Sequence, residues 1–116
     1  NTISRAESDR WHAEFATPAP GGVIFDIATA DFRLRSKAPT AIDFANSDRA
    51  PLLLIAGDRD HVMPASVVYE NFNRYRRSSA PTDFKVFRDT PHLITVVDGW
   101  EDAADHALTW AVRHTR

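Results

Sequence analysis

The amino-acid sequence predicts an α/β fold in which short parallel strands alternate with helices. Residues 52–55 are four consecutive apolar side chains between a proline and a glycine, as in a strand that is covered on both faces. Residues 65–77 place apolar side chains at helical spacing, and residues 82–87 alternate with the period of a strand. A further helical pattern follows, so the predicted order is strand–helix–strand–helix.

Residues 1–46 are predicted to form two short helices rather than an independent core. Ser4, followed three residues later by a glutamate, has capping-box spacing and predicts the start of the first helix. Trp11 and Phe15 lie four residues apart and would share one face of it. A second helix is predicted over residues 23–32, after a break rich in proline and glycine.

Composition and charge exclude several classes of function. The 116-residue chain has a formal net charge of −2 and no cysteine. This charge gives no electrostatic footprint for nucleic acid, and the lack of cysteine excludes disulfides and thiolate metal sites. No apolar run approaches the roughly 18 residues of a membrane span, and no signal peptide is visible, so we expect a cytoplasmic protein. The start Asn-Thr-Ile-Ser, without an initiator methionine, suggests a fragment or a processed product.

Two residues that can carry chemistry follow the two predicted strands. Asp60 lies just after the first strand, and His92 lies in the loop after the second. In a right-handed strand–helix–strand unit these loops emerge at the same edge of the sheet, where catalytic groups collect. A carboxylate bonded to one imidazole nitrogen fixes the tautomer and stabilises the imidazolium. The pair is therefore a candidate for the supporting half of a catalytic triad, although Asp and His are common in loops.

Two motifs around these residues resemble motifs of the α/β-hydrolase family. Residues 57–64, G-D-R-D-H-V-M-P, resemble the acid loop of the family, and residues 90–94, T-P-H-L-I, resemble its histidine loop. They occur in the order that the family's triad requires. The resemblance implies that Asp60 is the triad acid, that His92 is the general base and that no cofactor is needed.

The resemblance also implies a division of the chain and a missing part. Residues 1–46 look like the remnant of a helical lid, and residues 47–116 look like the C-terminal part of the hydrolase core. The family's nucleophile lies on a G-x-S-x-G elbow, and none of the four glycines frames such a residue. We therefore expect a fragment of an enzyme that hydrolyses an ester or a similar small apolar substrate. Its nucleophile would come from a missing N-terminal half, and the chain alone would be inactive.

The nucleophile and the partner remain open at this stage. An aspartate nucleophile would make the parent an epoxide hydrolase or dehalogenase, and a serine would make it an esterase, lipase, C–C hydrolase or cofactor-free haloperoxidase. The alternative from a different functional class is a non-catalytic binding or interaction module that retains the half-fold. Residues 52–55 would expose a strand edge, which we expect to pair with the N-terminal half or with a second copy.

A few residues are weaker candidates for binding the substrate. Trp11, Phe15, Phe25 and His61 could line an apolar pocket beneath the lid, but packing between lid and core explains the aromatic rings equally well. A metal site around Asp60 is not expected, because its acidic and histidine neighbours cannot all point one way off a turn. The predicted partners are thus a small-molecule substrate and the rest of the sheet, and include neither nucleic acid nor membrane.

Overall fold

A computed structural model describes residues 4–18, 21–22, 25 and 41–114. The chain divides into two compact units, residues 1–43 and residues 44–116. The second unit contains two helices and a parallel sheet of two strands, and a third helix lies in the described part of the first. The predicted mixed α/β class is confirmed. In the described part of the chain, no helix has the length and apolar character needed to cross a membrane.

Helix α1, Arg5–Phe15, lies in the first unit. The hydroxyl of Ser4 accepts a hydrogen bond from the Glu7 backbone N–H at 3.2 Å, so the helix begins where the sequence predicts. Trp11 is buried, whereas the side chain of Phe15 is 56% exposed. The two aromatic residues of the predicted pair therefore have different environments.

The predicted second helix lies almost wholly outside the described residues. Within residues 23–32 only Phe25 is described, and it has helical backbone and an exposed side chain. Gly21 and Gly22, which the sequence places in a break between helices, also have helical backbone.

The second unit is a strand–helix–strand–helix unit. Its elements are β1 (Leu52–Gly57), α2 (Ala65–Tyr75), β2 (Thr82–Phe87) and α3 (Trp100–His114). The strands pair in parallel, with Leu52 opposite Thr82 and Gly57 opposite Phe87. Because the two strands run in the same direction and in register, their carboxyl ends lie side by side.

Helix α2 packs on one face of this sheet. The rings of Phe72 and Phe84 stack with centroids 5.9 Å apart, and Tyr69 lies 5.5 Å from Phe84. Tyr75, in the last turn, meets Phe44 edge-on at 4.8 Å, which attaches the segment before β1 to the helix. The apolar stripe that predicts this helix does therefore face the sheet.

Helix α3 contacts the opposite face. The Trp110 indole N–H donates to the Asp83 carboxylate at 2.5 Å, and the His106 ring meets the Phe87 ring edge-on at 5.9 Å. His114 stacks on Trp110 with centroids 4.2 Å apart. His106 and His114 are half-buried residues that pack in this interface.

Helix α3 begins at Trp100, directly after Gly99, which has φ +84°, a conformation that favours glycine. The predicted burial of the first strand is wrong. Residues 52–55 are half-buried rather than buried, and in β1 only Ala56 and Gly57 are buried. The reason is that β1 has a strand on one side only in the described part of the chain.

Arg49 joins the start of β1 to the start of β2. Its guanidinium donates to the carbonyl oxygens of Ala50 at 2.9 Å and of Ala80 and Pro81 at 3.2 Å, and to the Thr82 hydroxyl. A planar fork of donors suits several acceptors at once, and hydrogen bonds from a charged donor are stronger than neutral ones. Arg49 therefore fixes the amino ends of the two strands relative to each other.

We expect Arg49→Met to lower the free energy of unfolding by about 1–3 kcal/mol, since it removes several charge-assisted hydrogen bonds from one partly buried site. The measurement is urea unfolding at a fixed protein concentration. Arg76→Met is the matched control, because Arg76 is exposed in the turn after α2. Equal midpoints for the two variants would show that Arg49 does not hold the strands.

Candidate functional site

The candidate site lies where β1 and β2 end. The Asp58 N–H donates to the Phe87 carbonyl at 3.0 Å, so the parallel pairing continues one residue past β1. The Asp60 N–H then donates to the Gly57 carbonyl at 3.3 Å, which closes a tight turn after the strand. Because the strands are parallel, the loop that contains Asp60 and the loop that contains His92 lie at the same edge of the sheet.

Asp60 and His92 meet at this edge. The Asp60 Oδ2 atom lies 2.9 Å from His92 Nδ1. The other carboxylate oxygen, Oδ1, accepts hydrogen bonds from the backbone N–H groups of Val62 and Met63, each at 2.8 Å. The Asp60 side chain is 9% exposed and that of His92 is 50% exposed. Backbone N–H groups of its own loop therefore hold the carboxylate in place, while the imidazole remains accessible to solvent.

The surroundings of Asp60 favour its ionised form. Desolvation by burial acts to raise the pKa of the carboxyl group, but hydrogen bonds from Met63 N–H, from His92 and from Val62 N–H outweigh it. The net result is a pKa of Asp60 below its ordinary value of 3.8. At neutral pH the group is a carboxylate, which can only accept hydrogen bonds.

This geometry assigns the proton on His92. Because Asp60 Oδ2 is an acceptor, the hydrogen bond requires the proton on Nδ1, and the neutral ring then leaves Nε2 unprotonated. Nε2 makes no hydrogen bond to any residue that the structure describes. The pair can therefore take up a proton at Nε2 while the carboxylate stabilises the resulting imidazolium.

Gly57 lets the histidine loop approach β1 closely. A Cβ atom at this position would lie 2.2 Å from the Thr90 carbonyl oxygen, far inside contact distance. The same oxygen accepts from the Arg59 N–H at 3.1 Å, and the Thr90 N–H donates to Asp58 Oδ1 at 3.3 Å. Neither contact of Gly57 and Asp58 with the histidine loop is predicted from the sequence. The G-D pair directly after an apolar strand was the available signal.

The weaker candidates belong to different parts of the chain. Trp11, Phe15 and Phe25 belong to the unit of residues 1–43, while Asp60 and His92 belong to the other unit. His61 is exposed next to Asp60. Among the residues described, no group of three His, Cys, Asp or Glu side chains could hold a metal ion.

Comparisons with protein-family models, with curated proteins and with solved structures find no match to this chain. The resemblance to α/β-hydrolases therefore stays a prediction from the two loop motifs.

The lowered pKa of Asp60 predicts a contribution to acid sensitivity. As the pH falls below 3.8, the unfolded chain binds a proton at Asp60 before the folded chain does, so the free energy of unfolding falls until the pH passes the folded pKa. Asp60→Asn should make the loss of stability shallower in this range. Urea unfolding of both proteins between about pH 5 and pH 2 measures it. Parallel curves of the free energy of unfolding against pH for the two proteins would mean that the folded structure does not lower the pKa of Asp60.

Proposed function

We propose that residues 47–116 supply the acid and the base of an α/β-hydrolase that cleaves an ester or a similar small apolar substrate. The observation that carries this proposal is the 2.9 Å contact between Asp60 Oδ2 and His92 Nδ1 at the carboxyl edge of two parallel strands. The two loop motifs and their order along the chain support it. A cytoplasmic location is part of the proposal.

The proposed roles follow from the ionised carboxylate of Asp60 and the neutral ring of His92. His92 Nε2 accepts the proton of a nucleophile as that nucleophile attacks the substrate, and later donates it to the leaving group. Asp60 stays ionised throughout and stabilises the imidazolium through Nδ1–H. The half-exposed His92 ring is accessible to such a nucleophile, while the nearly buried Asp60 is screened from solvent.

The side chains beside the pair support an apolar substrate. Val62 and Met63, in the acid loop, are 71% and 45% exposed, and Leu93, next to His92, is 41% exposed. Apolar side chains that flank a few polar groups are typical of sites for small apolar ligands. A substrate or the rest of the enzyme would cover them.

The nucleophile is proposed to come from a further part of the sheet. Leu52 N–H and Asp58 N–H point towards β2, so the alternation of a parallel ladder turns the backbone polar groups of Leu53 and Ile55 away from it. No described segment pairs with that side of β1. An open edge of this kind is a template for another strand. We propose that this strand belongs to the N-terminal half of the same enzyme, with a second copy as the other possible occupant.

In the complete polypeptide, His92→Ala should lower kcat by about three to four orders of magnitude while the fold is retained, because the nucleophile loses its base. Asp60→Asn should cause a loss of similar size, since it favours the wrong tautomer. Steady-state kinetics on an activated ester, with circular dichroism as the folding check, measures both.

His61→Ala is the matched control, since it removes an exposed imidazole one residue from Asp60 and should leave turnover within a few-fold of the parent. Near-normal turnover in His92→Ala or Asp60→Asn would remove that residue from the proposed triad. A large loss of turnover in His61→Ala would show that the proposal names the wrong histidine as the base.

A further inference from the structure

The backbone of the histidine loop lies against the end of β1. The Thr90 carbonyl oxygen occupies the position beside Gly57 where any other residue would carry its Cβ, 2.2 Å away. The Thr90 carbonyl carbon would lie 2.8 Å and the Pro91 carbonyl oxygen 3.1 Å from the same Cβ. These atoms are backbone, so a side chain at position 57 cannot be accommodated by a simple rotation. Alanine there would displace the loop two residues before His92.

Two hydrogen bonds hold Thr90 in this position from the acid loop. The Arg59 N–H donates to the Thr90 carbonyl at 3.1 Å, and Asp58 Oδ1 accepts from the Thr90 N–H at 3.3 Å. Both polar groups of the Thr90 backbone are thus bound by the two residues that lead into Asp60. An ion pair between Arg59 and Asp89, at 2.5 Å, adds a surface link between the same loops.

We propose that Gly57 and Asp58 are positioning residues for the acid–base pair. Gly57 admits the backbone of the histidine loop, and Asp58 holds it, so that His92 Nδ1 lies within hydrogen-bond distance of Asp60. Neither residue touches the reacting atoms. The inference rests on the proposed function, because it gives the two residues their role through Asp60 and His92.

The test observes the hydrogen bond itself in the 116-residue chain. Proton-detected NMR of the ¹⁵N-labelled histidine rings reports which nitrogen of His92 carries the proton. The wild-type ring should be in the Nδ1–H form with a protected proton. Gly57→Ala should lose this protected signal and give mixed tautomers. Gly22→Ala is the matched control, since a Cβ at Gly22 meets no atom within 4 Å among the residues described.

Asp58 provides a second, independent pair of variants. Asp58→Ala removes the acceptor for the Thr90 N–H at an exposed position and should weaken the protected His92 signal. Asp58→Asn retains an oxygen acceptor and should restore it. If Gly57→Ala does not fold, this pair of variants tests the positioning role instead. Thermal unfolding of every variant distinguishes loss of the Nδ1–H tautomer from loss of the fold.

The outcomes distinguish the two proposals. A protected Nδ1–H signal in wild type that persists in folded Gly57→Ala, or in Asp58→Ala where Gly57→Ala does not fold, would overturn the positioning role and leave the proposed function standing. Absence of the signal in wild type would overturn the acid–base pair, and the positioning role with it. Loss in Gly57→Ala and Asp58→Ala, with retention in Gly22→Ala and Asp58→Asn, supports the inference.

Discussion

The parallel pairing of β1 with β2 is the constraint on which the candidate site depends. It places the ends of both strands side by side, so that residues 32 positions apart meet through a 2.9 Å contact between Asp60 and His92. An antiparallel pair would send the two loops to opposite edges. The helix that crosses from one strand to the next is required for this direction and also covers one face of the sheet.

The pair combines a carboxylate held by its own loop with an accessible imidazole. Backbone N–H groups of the acid loop hold one oxygen of Asp60 and lower its pKa, which leaves the other oxygen for His92. The His92 ring makes no further hydrogen bond in the part of the chain that the structure describes. Its position therefore depends on the backbone around Thr90. The absence of a side chain at Gly57 allows this backbone to lie against the end of β1, although glycine contributes no chemistry.

Local patterns in the sequence predict much of this unit and miss its long-range contacts. The apolar run before Gly57 and the alternation of residues 82–87 locate both strands, and their parallel direction predicts that Asp60 and His92 meet. Burial was overestimated because a covered strand and a half-covered strand share one apolar pattern. The links from Arg49 to Thr82 and from Asp58 to Thr90 join segments more than 30 residues apart, and periodicity within one segment carries no information on them.

We propose that this sheet is incomplete and that another strand completes both the sheet and the site. Residues 52–55 are half-exposed in the middle of what should be a covered strand, and helix α3 leaves Leu108 64% exposed. Size-exclusion chromatography with light scattering on the pure 116-residue chain, followed by thermal unfolding, tests this most directly. We expect self-association through the open edge of β1 rather than a stable monomer. A monodisperse monomer with a cooperative thermal transition would contradict it and would favour an independent, non-catalytic module.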